Sequence, residues 1–290
     1  PRGMAMAEVL WAAPSERNYE EFWTRLQSHY PMLEQLGYQY DVEEVPVSMS
    51  TQLSEDGKVL EVDLEPSMPQ LTLTVLSDGD TIMAEAPGAH FDLTSAFRGV
   101  NVFEVQPVNE GRSVGAPLRY GFALHEGLQT HSCLGSRPSE EYNGTTELPL
   151  VDGRLGSTNY RDGEWVGYFG PSAFQGHFGW NETIKIDSIK INFLQSRLSW
   201  ILVPEMVELD IYVEDDVLYR TEWFRKSTPS EEGTFIETLL VAPPGGFEAT
   251  KKLTITIPNT EHLPSNHPSA GQSVWHFLDE VQIYGQYPQN

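Results

Sequence analysis

Between Ser15 and Leu36 the apolar residues Tyr19, Phe22, Trp23, Leu26, Tyr30 and Leu33 recur at three- and four-residue intervals. That stripe predicts one amphipathic helix. Asn18, with Glu21 three residues later, makes a capping box at its start, and Gly37 supplies the stop. Pro31 lies inside the stripe and predicts a kink or an early break.

After Tyr40 the period changes to two. Short β-prone runs follow at Val45–Met49, Val59–Leu64, Leu71–Val75, Thr81–Ala84, Val102–Val105 and Leu118–Ala123. Turn signals separate them: Asp56-Gly57, Ser77 to Asp80, Pro87-Gly88 and Glu110-Gly111. This spacing predicts a small Ig-like β-sandwich over residues 41–132. The turn-rich segment Leu134 to Gly144 is the junction. Beyond it Ile184, Ile186, Ile189, Ile191 and Phe193 alternate with one break near Asp187. Val207–Val213 alternates without a break, and Phe235–Val241, Leu253–Ile257 and Val281–Tyr284 complete the set. No helix-period segment follows Gly135. The prediction for residues 133–290 is a second, larger β-sandwich of jelly-roll type.

Composition narrows the partners. The chain of 290 residues has 18 basic against 42 acidic side chains, a formal charge of −24. Phosphate backbones and anionic membrane surfaces repel such a surface, so nucleic acid and membrane are poor partners. A neutral sugar meets no such repulsion. Cys133 is the single cysteine, which excludes an intrachain disulfide and thiol metal clusters. No apolar run reaches membrane-spanning length. The opening PRGMAMAEVLW lacks a basic region leading into an apolar one, so no signal peptide is visible. Its strand-like apolar run has nothing before it to pair with, and the expectation is a chain that begins inside a larger protein.

The stretch LVDGRLGSTNYRDGEWVGYFG, Leu150 to Gly170, concentrates turn residues, carboxylates and aromatics. Trp165 is expected to plug the core, and Tyr168 is a ligand-contact candidate. Gln195, Arg197 and Trp200 in NFLQSRLSW combine an aromatic face with polar side chains, the mixture a pyranose needs. The eight histidines form no metal-spaced pair, and no P-loop or dinucleotide fingerprint is present. Asn143-Gly-Thr145 and Asn181-Glu-Thr183 fit the N-glycosylation sequon.

Two segments carry family resemblances. Ala7 to Tyr40 has Ala7, Glu8 and Trp11, then Pro14, Glu16, Arg17 and Asn18, then Leu36, Gly37 and Tyr40. It resembles the last strand and final helix of the family-twenty glycoside hydrolase barrel, the β-N-acetylhexosaminidases. Leu150 to Gly285 has Val151-Asp152-Gly153, the GSTNYRDGEWVGY run, Phe193 to Pro204, and His267 to Glu280. It is similar to the galactose-binding-like domain of discoidin or coagulation-factor type C. Residues 41–132 fit the linking sandwich between barrel and binding module.

These resemblances imply residues 1–40 as the remnant strand and helix of a TIM barrel, with Trp11 on the wall of the intact enzyme's sugar pocket. Ala13 stands where some members carry a sugar-binding glutamate, so that contact is absent. The family's catalytic Asp-Glu pair lies on an earlier strand, and no adjacent Asp-Glu precedes Asp41. The chain alone is therefore expected to be non-catalytic. The type C resemblance implies a structural calcium ion held by Asp152, Ser157 and Glu280, all hard oxygen donors. The alternative for these residues is an Asx-bonded turn with Glu280 paired to Arg154. The carbohydrate-binding residues would be Tyr168, Gln195, Arg197 and Trp200. The resulting expectation is a secreted or periplasmic fragment that binds N-acetylhexosamine- or galactose-containing glycan beside an upstream barrel domain. Its competitor is a pair of purely structural sandwiches that stabilise the barrel or bind a protein partner.

Overall fold

The computed structural model describes residues 2–11, 18, 21–22, 25–26, 29, 32, 47–55, 57–94, 99–115, 117–170, 174–213, 216–258 and 261–287. The chain divides into two compact units: Pro1–Ser50, Val62–Phe91 and Val102–Arg119 in one, and Thr51–Glu61, Asp92–Asn101 and Tyr120–Asn290 in the other.

The N-terminal apolar run is helix α1 (Arg2–Trp11), not the expected strand. Met4, Ala5, Met6, Ala7, Glu8 and Leu10 are good helix formers. A strand needs a neighbour for its N–H and C=O groups, whereas a helix satisfies them internally. The strand of a barrel remnant is therefore not seen here, and Trp11 ends the helix with 90% of its surface exposed, lining a hollow with Glu8, Phe22 and Arg25. The next predicted helix is seen at residues 21, 22, 25, 26, 29 and 32, all helical. Its cap is the predicted one, with the Glu21 N–H donating to Asn18 Oδ1 at 3.3 Å. The expected kink at Pro31 and stop at Gly37 lie outside the described residues.

Eight strands follow: β1 (Val47–Leu53), β2 (Leu60–Pro66), β3 (Thr72–Ser77), β4 (Asp80–Ala86), β5 (Ala89–Leu93), β6 (Gly99–Asn109), β7 (Arg112–Ser113) and β8 (Leu118–Leu124). They form antiparallel sheets ordered β1-β2-β5 and β8-β6-β3-β4, with β7 on β6. Alternate residues are buried: Leu60, Val62 and Leu64 on β2, Leu73 and Val75 on β3, Phe103 and Val105 on β6. This is the period-two pattern read from the sequence.

The remaining strands are β9 (His131–Leu134), β10 (Arg154–Leu155), β11 (Val166–Phe169), β12 (Phe174–Ser196), β13 (Met206–Val213), β14 (Asp216–Phe224), β15 (Thr234–Val241), β16 (Phe247–Ile257) and β17 (Trp275–Gln286). The long β12 changes neighbours along its length. Residues 174–179 pair with β9 and β16, and residues 189–196 pair with β15, while β17 pairs along 185–193. All of these pairings lie within one eight-stranded sheet ordered β11-β17-β12-β16-β13-β14, with β9 and β15 also on β12. A register shift falls between Ile186 and Ser188, at the break the sequence shows near Asp187. Ile184, Ile186, Ile189, Ile191 and Phe193 all stay fully buried through this shift. They share one core with Phe178, Val207, Leu209, Ile211, Leu253, Ile255, Val281 and Ile283. Among the described residues no helix is long and apolar enough to cross a membrane.

Candidate functional site

Buried charge in the second unit collects around the Asp152-Gly153 turn and β17. Gly153 has φ +79°, a conformation glycine adopts without strain. Asp152 Oδ1 accepts the Arg154 N–H at 3.0 Å, which is an Asx turn, and Thr146 Oγ1 donates to Oδ2 at 2.7 Å. Glu280 reaches in from β17. Its Oε1 accepts the Gly153 N–H at 2.8 Å, and its Oε2 accepts the Asp152 N–H at 3.2 Å. His125 Nε2 lies 2.8 Å from Oε1, with both side chains fully buried. Burial first, then the Asp152 charge, pushes the Glu280 carboxyl well above the ordinary range, and burial raises Asp152 as well. The Asx turn of the alternative reading is present, but Glu280 pairs with His125 rather than Arg154.

The three residues of the calcium expectation are only partly brought together. Asp152 and Glu280 meet, yet every one of their oxygens already receives a donor. Ser157 faces elsewhere: its Oγ accepts the Asn159 N–H at 3.1 Å, and its own N–H donates to Asp162 Oδ2 at 2.6 Å. The carbonyls of Leu150, Asp152 and Gly153 accept from Val281 N–H, Thr51 Oγ1 and Ala123 N–H. Among the described residues no group of three or more His, Cys, Asp or Glu side chains is arranged to hold a metal ion.

The loop after the turn is organised by Asp162, whose Oδ1 also accepts the Glu164 N–H at 3.0 Å. Glu164 pairs with Arg154 at 2.8 Å, and both side chains are buried. Burial outweighs the Arg154 guanidinium and pushes the Glu164 carboxyl up to about 8. Asp279 is pushed up to about 7 by complete burial, and its Oδ2 accepts from Gly156 N–H and Asn192 Nδ2, each at 3.0 Å. Trp165 is the expected plug, 1% exposed, with Nε1–H donating to the Ser157 carbonyl at 2.9 Å.

Above this plug lies a cleft of about 240 Å³ lined by Glu141, Tyr142, Gly144, Thr145, Tyr160, Arg161, Gly163 and Trp165. Tyr142 and Tyr160 are half-buried, with ring centres 6.1 Å apart in an edge-to-face pair. The exposed Arg161 guanidinium stands 5.2 Å from the Tyr160 ring centre. The Tyr142 hydroxyl donates to Glu141 Oε1 at 3.1 Å. Burial and this carboxylate raise the phenol's pKa, so the hydroxyl stays a donor at neutral pH. Two aromatic side chains, a planar cation and a carboxylate therefore line one hollow.

The residues expected from sequence to contact sugar sit differently. Tyr168 is 2% exposed in the core, edge-on to Phe174, so neither ring face is available to a ligand. Burial pushes its phenol up to about 12. Gln195 is also buried and spends both ends on backbone: Nε2 donates to the Thr228 carbonyl at 3.1 Å, and Oε1 accepts the Val203 N–H at 3.0 Å. Arg197 is 8% exposed and donates through Nη2 to the Asn266 carbonyl at 2.8 Å. Trp200 has φ +64° and closes the 3₁₀ turn Arg197–Ser199. It packs half-buried on Leu202, Leu263 and Val274. Tyr168 thus packs in the core, Gln195 and Arg197 tie loops together, and Trp200 keeps part of its surface exposed. The sequence reading missed His125, Glu141, Tyr142, Tyr160 and Arg161. Tyr160 and Arg161 lie inside the motif run already singled out, where alternation of aromatic and charged residues within a loop was the available signal.

No family model and no curated protein matches the sequence. Solved structures with some likeness include a fucose-binding module from Streptococcus pneumoniae: 19% identity, 56% of this chain and 97% of that one, TM-score 0.34. A second is the C-terminal domain of a Bacteroides fragilis chitobiase: 10% identity, 56% and 96%, TM-score 0.32. A third is a fucolectin from striped bass serum: 10% identity, 83% and 86%, TM-score 0.36. At these scores the likeness says nothing about the site.

Proposed function

We propose that the β-sandwich of the second unit binds a neutral glycan in the Tyr142–Tyr160 cleft. The supporting observation is the cleft itself. Aromatic faces suit the C–H side of a pyranose, and Arg161 and Glu141 provide a donor and an acceptor for its hydroxyls. A charge of −24 favours an uncharged ligand. A glycan array followed by calorimetry on the full chain tests this. Tyr160→Ala and Arg161→Ala are each expected to weaken binding by about 10- to 100-fold, equivalent to about 1.4–2.8 kcal/mol. Full retention of affinity in both variants rejects the cleft, and silence on the array rejects glycan binding.

The finer reading is a module that holds N-acetylhexosamine- or galactose-containing glycan near the upstream barrel of a secreted or periplasmic β-N-acetylhexosaminidase-like enzyme. It rests on the motif segments Ala7 to Asn18 and Val151 to Glu280. The coding sequence upstream of Pro1 tests it, since a hexosaminidase barrel is expected there in frame. Turnover of a p-nitrophenyl N-acetylglucosaminide by the pure chain would overturn the expectation that it is non-catalytic alone. The competing structural reading draws on Gln195 and Arg197, whose polar groups tie loops together.

A further inference from the structure

We propose that the Asp152–Glu280 junction closes without a metal ion, with the Nε2–H of His125 standing where the type C resemblance places a calcium ion. The inference stands apart from the glycan reading.

Calcium takes six to eight oxygen ligands, and each needs a lone pair aimed at the ion. The junction has four carboxylate oxygens with about eight lone-pair sites, and five donors already point at them, which leaves about three, fewer than the six ligands calcium takes. Glu280 receives His125 Nε2, Gly153 N–H and Asp152 N–H. Asp152 receives Thr146 Oγ1 and Arg154 N–H.

The direction of the His125 proton follows from the ring's other nitrogen. Nδ1 faces two backbone donors, Gly127 N–H at 3.0 Å and Ile283 N–H at 3.3 Å. It must therefore accept, which leaves the ring proton on Nε2, aimed at Glu280 Oε1. A cation beside that oxygen would meet the positive end of this N–H bond. The ring's place is built for it: a Cβ on Gly127 would come within 2.7 Å of His125 Nδ1, so only glycine there leaves room. The result is a clamp between residues 155 apart in sequence, joining the end of β8 to β17 and to the Asp152-Gly153 turn.

The test uses the intact chain, stripped with a chelator and titrated calorimetrically with calcium chloride to about 10 mM, above the ~10⁻³ M affinity of weak protein sites. No saturable heat is expected, and the Tm should be the same in chelator and in calcium. Nitrogen NMR of the His125 ring should show a protonated Nε2 and a bare Nδ1 in both conditions. A saturable one-ion isotherm with a Tm that falls on chelation overturns the proposal. So does an Nδ1–H tautomer, or a calcium-dependent shift of the ring nitrogens.

Discussion

Gly156 and Trp165 illustrate how single residues set this site. A Cβ on Gly156 would lie 2.3 Å from Trp165 Cε2, so the indole fits only because that position has no side chain. Gly156→Ala is expected to destabilise by about 1–3 kcal/mol through overpacking. Trp165→Ala should cost about 3–5 kcal/mol as a core cavity. Urea unfolding measures both, and an unchanged midpoint for Gly156→Ala would mean the ring can shift aside. Trp165 was legible as a plug through the type C resemblance, which implies a tryptophan after the opening loop that seals the sandwich. Tyr168 was not legible as core. It sits in the same short window, and only its place on β11, facing the shared core, separates it from the exposed Phe169. His125 carries no sequence signal, since its partner Glu280 lies on a distant strand.

At the level of elements, β12 carries the most information. Its alternation, with a slip near Asp187, was readable because both halves bury one side of the strand. Inserting one alanine after Lys190 would turn Ile191 and Phe193 outward and misalign the β15 and β17 pairing. Loss of a cooperative thermal transition, followed by circular dichroism, is the expected outcome. A transition as sharp as the parent's would contradict the register. The run at the start of the chain went the other way. AEVLW reads as strand-like by its apolar residues, but its helix formers decide when no neighbouring strand supplies hydrogen bonds. Short strands such as β9, β10 and β11 escaped the pattern altogether, because two to four residues offer too few alternations to count.

For the whole molecule, charge sets the response to pH. Glu164 holds its proton to about 8 when folded, against the ordinary 4.5. The folded state thus binds a proton more tightly than the unfolded chain between those values. Stability is greatest below about 4.5 as far as this group is concerned, and is lost as pH rises through about 8. Self-repulsion of a chain carrying −24 at pH 7 acts in the same direction. The urea midpoint should therefore be higher at pH 5 than at pH 8, and Glu164→Gln should flatten that slope. A slope unchanged in the variant would assign the pH dependence to the other buried carboxyls, Asp279 and Glu280, or to the net charge instead.

The amino-acid sequence by itself determined the β-rich architecture, the period of most long strands, the break in β12 and the net charge of −24. These depend on local alternation and summed charge, which are properties of the chain read in order. Tertiary structure alone decided which polar residues face ligand and which tie the fold together. Gln195 looks like a sugar contact until its backbone partners, Val203 and Thr228, are seen to occupy both ends of its amide, and Arg197 spends Nη2 on Asn266, 69 residues away. Tyr142 and Tyr160 become a cleft only when two loops meet over Trp165. Whether a polar side chain is available depends on what folding brings beside it, and no spacing along the chain encodes that neighbour.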